Sequence, residues 1–156
     1  MIDSPQPVLP DFLCGVEVTH DYLLAEQVQI TQLKTGYRVG SDAVLVAASL
    51  TAARGRVLDL RAGVGGISLC IAMRLDEVQI TAVEIDPVAA ALARHNVTIN
   101  GINQRVRVLN ADINAMPAVL ADSFDHVISN PPYHHKAGTR PRHAAPRIPV
   151  SVALAL

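Results

Sequence analysis

Four short apolar runs, separated by segments with helical signals, constrain the fold of this chain more than any other feature. They are Arg56-Val57-Leu58-Asp59-Leu60, Val78-Gln79-Ile80-Thr81-Ala82-Val83-Glu84, Arg105-Val106-Arg107-Val108-Leu109 and Phe124-Asp125-His126-Val127-Ile128-Ser129. Runs of this length that are rich in β-branched residues read as buried strands. Between the first two, a glycine turn, Gly63-Val64-Gly65-Gly66, opens a helix over roughly Ile67 to Arg74. Between the second and third, Asp86 caps a helix with Pro87 at its first position, and Asn100-Gly101 ends it. Val88, Ala91, Leu92 and Ile99 give that helix one apolar face. Strands alternating with helices predict an α/β fold with a doubly wound, mostly parallel sheet and right-handed crossovers.

The segment before these units reads differently. Glu26 to Leu33 alternates polar and apolar residues, as a half-buried strand does; Lys34-Thr35-Gly36 is its turn and Tyr37-Arg38-Val39 its return, a small N-terminal hairpin. Ser41 or Asp42 then caps a helix from Ala43 to Leu50, stopped near Gly55 and apolar almost all round, which predicts burial. Residues 1–14, proline-rich at the start, are expected to be a loose leader.

With 156 residues, the chain is read as one domain with a core built from Val, Leu, Ile and Ala, because aromatics are scarce and Trp is absent. The net charge of −1 gives no global pull towards nucleic acid. Cys14 and Cys70 lack metal-ligand spacing and fit a reducing compartment. The N-terminus lacks the pattern of a signal peptide, and no apolar stretch spans a bilayer, so a cytoplasmic protein is expected.

Ligands of open α/β sheets bind beyond the carboxyl ends of the strands. Asp59-Leu60-Arg61-Ala62-Gly63-Val64-Gly65-Gly66 follows the first strand there, with glycines that let a ligand approach and a helix offering free amides. Glu84 ends the second strand, about 20 residues further on, where a carboxylate accepts hydrogen bonds from ribose hydroxyls. Asn110-Ala111-Asp112 ends the third. Each feature alone reads equally as a plain turn or a solvated acid; their order together predicts a nucleoside-containing cofactor. A dinucleotide fingerprint would need glycine at position 68, where Ser68 stands, so an NAD oxidoreductase is disfavoured. The fourth strand ends in Asn130-Pro131-Pro132-Tyr133, a corner stiffened by two fixed φ angles, which is either a rigid exit turn or a grip for a flat, amine-bearing ring.

DLRAGVGG, VEID, the Asn110-Ala111-Asp112 element and NPPY, in this order, resemble the S-adenosylmethionine-dependent methyltransferases with a Rossmann-like, class I fold. The NPPY element resembles the branch that methylates planar amines, either adenine N6 or a glutamine amide. Gly36-Tyr37-Arg38-Val39-Gly40-Ser41-Asp42-Ala43-Val44-Leu45 resembles the bacterial tRNA adenine-N6 methyltransferases of the valine-tRNA type. The resemblance covers roughly Gly15 to Tyr133. It implies S-adenosyl-L-methionine as cofactor and tRNA as partner. It further implies that Asp59 and the backbone at Gly63 and Gly65 hold the methionine part, Glu84 the ribose, and Asp112 the adenine amine, with Ile113 packing nearby. Asp42 and its neighbours would close over the methionine end. Asn130 and the Pro131 carbonyl would accept from the target amine, Pro132 would stiffen the corner, and Tyr133 would stack on the base. No metal is needed, and His134-His135 is read as a solvated or RNA-facing pair.

Two departures from the family pattern stand out. Arg61 takes the place of the turn's first glycine, which predicts a strained turn or a crowded cofactor, or alternatively a pairing of Arg61 with the cofactor carboxylate. After Tyr133 the resemblance ends. The stretch 134–156 is basic and proline-rich, so a C-terminally truncated, single, incomplete methyltransferase domain is expected, with its C-terminal strands missing and its fourth strand open unless the last residues or a partner cover it. Lys136, Arg140, Arg142 and Arg147 either contact tRNA phosphates or belong to a disordered tail. The competing readings are a glutamine-amide methyltransferase acting on a translation factor and a non-catalytic module that binds cofactor or RNA.

Overall fold

The computed structural model describes residues 13–51, 54–116 and 123–130, together with the backbone of 152–154. The element order is β1 (Val18–Leu23), β2 (Val28–Leu33), α1 (Ser41–Ser49), β3 (Gly55–Leu60), α2 (Gly66–Arg74), β4 (Val78–Glu84), α3 (Pro87–Ile99), β5 (Val106–Asn110), β6 (His126–Ser129) and β7 (Val152–Leu154). The last five strands form one sheet in the order β5-β4-β3-β6-β7, with every described pairing parallel. Strand order reverses beside β3: β4 lies on one side of it and β6 on the other. That reversal leaves a crevice outside the carboxyl ends of β3 and β6.

β3, β4 and β6 bury residues on both faces, as their largely apolar sequence requires. Val57, Ile80, Val106 and Ile128 meet Leu69, Ile71, Ala47 and Val97 of the three helices in the main core. Leu58, Val83 and Val127 point the other way, under Leu60, Leu109, Ile113 and Phe124. β4 keeps the bounds expected from sequence, and α3 has the expected cap: Asp86 Oδ1 accepts from the amides of Val88 at 2.8 Å and Ala89 at 2.9 Å. Gly101, at φ 69°, follows the Asn100 cap.

The N-terminal hairpin exists but has other members than the sequence suggested. β2 pairs antiparallel with β1, which precedes it, and Tyr37-Arg38-Val39 makes no return strand. The turn between the strands runs through Leu24, Ala25 and Glu26 at φ 50°, 50° and 69°, so Glu26 belongs to the turn and the strand begins at Val28. These residues carry none of the usual turn signals, since positive φ normally selects Gly or Asn. β2's other edge faces α3, where two asparagines one turn apart take the place of a neighbouring strand. Asn96 Oδ1 accepts from Thr31 N at 2.7 Å and its Nδ2 donates to Thr31 O at 2.9 Å; Asn100 does the same for Gln29 at 2.9 and 2.7 Å. Each side-chain amide thus satisfies a backbone donor and acceptor that would otherwise be orphaned.

α1 also departs from expectation. Its N-cap is Gly40, without a side-chain cap, rather than Ser41 or Asp42, and the helix ends at Ser49, before Gly55. Only one side is buried, through Ala43, Val46 and Ala47, while Leu45 is 70 % exposed, so the helix is not enclosed and presents apolar residues outward. The outer edge of β6 is not open: residues 152–154 pair along it, Val127 opposite Val152 and Ser129 opposite Leu154. The sheet is therefore extended by the last residues, the exception that the sequence reading allowed.

Candidate functional site

The turn after β3 is held from beneath and from the side. Ala62 N donates to Val83 O at 3.0 Å and Gly65 N to Ala62 O at 2.9 Å, which fixes the turn against β4. Arg61 sits at φ 62°, in the left-handed region where a side chain costs free energy, so the turn does demand the conformation a glycine would adopt cheaply. Gly63, at φ 58°, has nothing among the described residues within 4 Å of the position a Cβ would occupy. Gly66 serves a different end: a Cβ there would lie 2.5 Å from Val39 Cγ1, so this glycine lets the segment 37–40 lie directly on the turn. Asn96 reaches the same turn, donating to Val64 O at 2.9 Å.

Two carboxylates flank the turn. Glu84, nearly buried at the end of β4, accepts from Gly63 N at 2.8 Å through Oε2 and from Asp86 N at 2.9 Å through Oε1. Each oxygen keeps a further lone pair, so the carboxylate is fixed in orientation and still able to accept. Asp59, wholly buried, accepts from Ser68 Oγ at 2.7 Å through Oδ2; its Oδ1 has no hydrogen-bond partner among the described residues. Burial pushes the Asp59 carboxyl up to about 7, the neighbouring Glu84 charge adds to the rise, and hydrogen bonds from the Ser68 side chain and backbone oppose it. A buried acceptor without a donor is costly, and such groups concentrate at ligand sites. Ser68, noted in the sequence only for not being glycine, is the residue that holds Asp59.

Asp112 follows β5 and caps a short turn, accepting from Asn114 N and Nδ2 at 2.9 Å each. Asn110 Nδ2 donates to the carbonyls of Glu84 and Ile85 at 2.9 Å each, tying the ends of β4 and β5 together. Ile113 is half-buried and packs into the second core cluster. Ile85, between two acids and 62 % exposed, is an apolar surface at this rim that sequence reasoning passed over; its signal was the lone apolar residue inside Glu84-Ile85-Asp86.

At the end of β6, Ser129 Oγ donates to Leu60 O at 2.9 Å, clamping the strand ends on the two sides of the crevice. Asn130 comes next. Its Nδ2 donates to Asp42 Oδ2 at 2.7 Å and lies 3.3 Å from Tyr37 Oη, while the Tyr37 hydroxyl itself donates to Asp42 Oδ2. Desolvation raises the Asp42 carboxyl, but hydrogen bonds from Tyr37, Asn130 and the amides of Ala43 and Gly40 outweigh it and leave the group below its usual range. Tyr37 was not picked out by sequence, where it stood in a supposed return strand. Pro131, Pro132, Tyr133, Lys136, Arg140, Arg142 and Arg147 lie outside the described residues. The structure brings Asp59, Arg61, Gly63, Gly65 and Glu84 to one turn, Asp112 and Ile113 to the adjoining strand end, and Asp42 to Asn130.

A parallel sheet with a glycine turn, a strand-end carboxylate and a strand-end asparagine around its switch point defines the class: a Rossmann-like α/β domain of the methyltransferase type. The family model described as "Methyltransferase small domain" matches residues 36–150, and the chain belongs to that family. Curated relatives include a tRNA1(Val) (adenine(37)-N6)-methyltransferase of Serratia proteamaculans, 39 % identical over 114 residues, covering 72 % of this chain and 44 % of the relative. The protein of that name from Tolumonas auensis is 37 % identical over 119 residues, covering 74 % and 48 %, and that from Haemophilus influenzae strain 86-028NP is 34 % identical over 110 residues, covering 69 % and 47 %. The chain thus spans about half the length of the curated relatives it matches. Among solved structures, the fold is shared with M. jannaschii TYW2 in complex with AdoMet, at TM-score 0.60 and 20 % identity over 72 % of this chain and 51 % of that one. P. horikoshii TYW2 in complex with MeSAdo matches at TM-score 0.60 and 21 % identity, over 72 % and 42 %.

Proposed function

We propose that this chain carries the cofactor and target-amine sites of an S-adenosylmethionine-dependent methyltransferase acting on the N6 amine of adenine in tRNA. The observation that carries the reading is the arrangement around the switch point: Asn130 at the end of β6, across from the turn after β3 that Glu84 and Asp59 flank. The residues present fit the cofactor. Glu84 holds two spare lone pairs in a fixed direction for ribose hydroxyls, Gly63 leaves open space above the turn, and Asp59 offers a buried oxygen that lacks a donor. Arg61 is exposed beside that turn, with a charge suited to a carboxylate. S-adenosylmethionine, when bound, supplies a methyl group activated by its sulfonium.

What the chain itself must do is align and exclude. Asn130 Oδ1, with the Pro131 carbonyl, would accept the two hydrogens of the target amine. That directs the nitrogen lone pair and stabilises the positive charge developing there. A stacked base has to be turned out of its helix to reach such a grip, with Tyr133 as its stacking partner. Lys136, Arg140, Arg142 and Arg147 would meet phosphates beside it. The names of the curated relatives favour tRNA over a protein glutamine as substrate.

The test is to incubate the purified chain with labelled S-adenosylmethionine and either bulk tRNA or a translation factor carrying an accessible glutamine. Label in tRNA that digests to N6-methyladenosine supports the reading. Label only in protein would move the assignment to the glutamine-amide class, and label in neither, with cofactor still bound, would leave a binding module.

A further inference from the structure

Asn130 presents a chemical ambiguity that its surroundings resolve. A side-chain amide has an acceptor end and a donor end of nearly the same shape, and only the acceptor end can take a hydrogen bond from an exocyclic amine. Turned around, the same residue would offer an NH2 group to the target and repel it. Something must therefore hold the amide one way round. Asp42 lies 2.7 Å from Nδ2, and an ionised carboxylate is acceptor-only, so it can pair with the NH2 end and not with the oxygen. The Tyr37 hydroxyl spends its hydrogen on the same Asp42 oxygen, which leaves its lone pairs towards Asn130 Nδ2 at 3.3 Å. Both partners next to Nδ2 are acceptors in that direction.

We propose that Asp42 and Tyr37 are positioning residues: they hold Asn130 by its amide nitrogen so that its oxygen faces the target amine, which makes the site selective for an amine over a ring carbonyl. The arrangement is built into the fold. Tyr37 and Asp42 flank Val39, which packs on Gly66 in van der Waals contact, and Val39 N donates to Gln32 Oε1 at 2.8 Å. Arg38 anchors the same segment, donating to Asp21 Oδ2 and Thr19 Oγ1 at 2.8 Å each. Asp42 is thereby fixed from the hairpin side and Asn130 from the sheet side. Each meets the other in a place that neither could choose alone. This inference rests on the function proposed above for its chemical meaning, but the hydrogen bonds themselves can be tested without it.

The first measurement is nuclear magnetic resonance of the Asn130 side-chain NH2 pair, assigned by its loss in Asn130→Ala. In the wild-type chain the pair should shift on acidification, with a midpoint below the ordinary carboxylate range, and exchange slowly; in Asp42→Ala it should neither shift nor be protected. A pair indifferent to Asp42→Ala overturns the clamp whatever the enzyme does. The second is steady-state methylation with Asp42→Ala, Asp42→Asn and Tyr37→Phe. Losing a charged hydrogen bond that acts on the reacting geometry should lower kcat about 10- to 100-fold in Asp42→Ala and about 3- to 10-fold in Tyr37→Phe. Asp42→Asn should recover part of the loss, and affinity for S-adenosylhomocysteine should change by less than about twofold throughout. Equal losses in kcat and in S-adenosylhomocysteine affinity would make Asp42 a cofactor contact and contradict the proposal, as would an unchanged kcat in both Asp42→Ala and Tyr37→Phe. If the NH2 pair responds as expected and the wild-type chain methylates nothing, the clamp stands and the functional reading falls.

Discussion

The two ends of the parallel sheet are built to different standards. At the amino end, the charged and strained groups are answered locally. Arg105 donates to Ala72 O at 2.6 Å and Leu75 O at 3.0 Å, closing the last turn of α2. Asp125 exchanges hydrogen bonds with the Arg56 backbone at 2.7 and 2.8 Å, in space that only Gly55 leaves open. At the carboxyl end, Arg61 occupies a left-handed conformation, Asp59 keeps a buried oxygen without a donor among the described residues, and Ile85 is exposed. The same strands carry both ends, so the difference does not come from strand sequence alone. The unanswered Asp59 oxygen and the left-handed Arg61 lie where the fold leaves a ligand crevice; strain also sits in the hairpin turn at Leu24, Ala25 and Glu26, and His95 Nε2 is a second buried polar atom without a partner among the described residues.

The largest effect is expected from Asn130→Ala, which should lower methyl transfer by at least about 100-fold while leaving S-adenosylhomocysteine affinity nearly unchanged, because the amide acts on the target and not on the cofactor. Parallel loss of both would make the asparagine a structural brace. Next comes Glu84→Ala, expected to weaken S-adenosylhomocysteine by about 10- to 100-fold in calorimetry, through loss of the ribose acceptor and of the bond that orients Gly63.

Asp59 gives a test with a sign. Its carboxyl is raised from 3.8 to about 7 in the folded chain, so between those values the folded state holds a proton that the unfolded state has lost. Stability of the cofactor-free protein should fall as pH rises from about 4 through about 7, because the unfolded state binds fewer protons there. Asp59→Asn should remove that slope. It should raise the melting temperature by several degrees at pH 8 and hardly at all at pH 4, while weakening S-adenosylhomocysteine binding. A wild-type melting temperature that rises over this interval, with no gain in the variant, would contradict the assignment.

At the amino end the pattern should reverse. Arg105→Ala should cost about 1–2 kcal/mol in chemical denaturation, through the unanswered carbonyls of α2, and leave cofactor affinity alone. The smallest effect is expected for Arg61→Gly. Relief of the left-handed backbone, worth about 1 kcal/mol, is partly offset by the entropy of a new glycine in the unfolded chain. Its more telling readout is affinity: tighter S-adenosylhomocysteine binding would show that the side chain crowds the site, and weaker binding would show that the guanidinium takes part.

How legible these features were in the sequence follows from how local their signals are. β4, the Asp86 cap and Pro87 start of α3, and the Asn100-Gly101 stop could be read because period, cap and turn residue coincide within a few positions. The hairpin could not. β1 has no clean alternation, being partly exposed along its length, and its turn places Leu24, Ala25 and Glu26 at positive φ without a glycine or asparagine among them. α1 looked enclosed because its sequence is apolar nearly all round, yet composition cannot say how many sides find a neighbour, and Leu45 stays 70 % exposed. At the site, the motif residues at strand ends were visible as a series. What sequence could not show is which residues hold them. The Ser68 partner of Asp59 lies nine residues away and the Asp42 partner of Asn130 lies 88 away, distances across which only the fold makes a pair.

By the function proposed above, Glu84, Asp59 and the turn after β3 at the carboxyl-end rim form one cofactor site next to the Asn130 grip. Calorimetric titration of S-adenosylhomocysteine into the chain tests this most directly, alongside Glu84→Ala and Asn130→Ala. Saturable one-to-one binding to the wild-type chain is expected, lost or much weakened in Glu84→Ala and retained in Asn130→Ala. A wild-type titration without saturable heat at any temperature tried, or equal binding by Glu84→Ala, would contradict it.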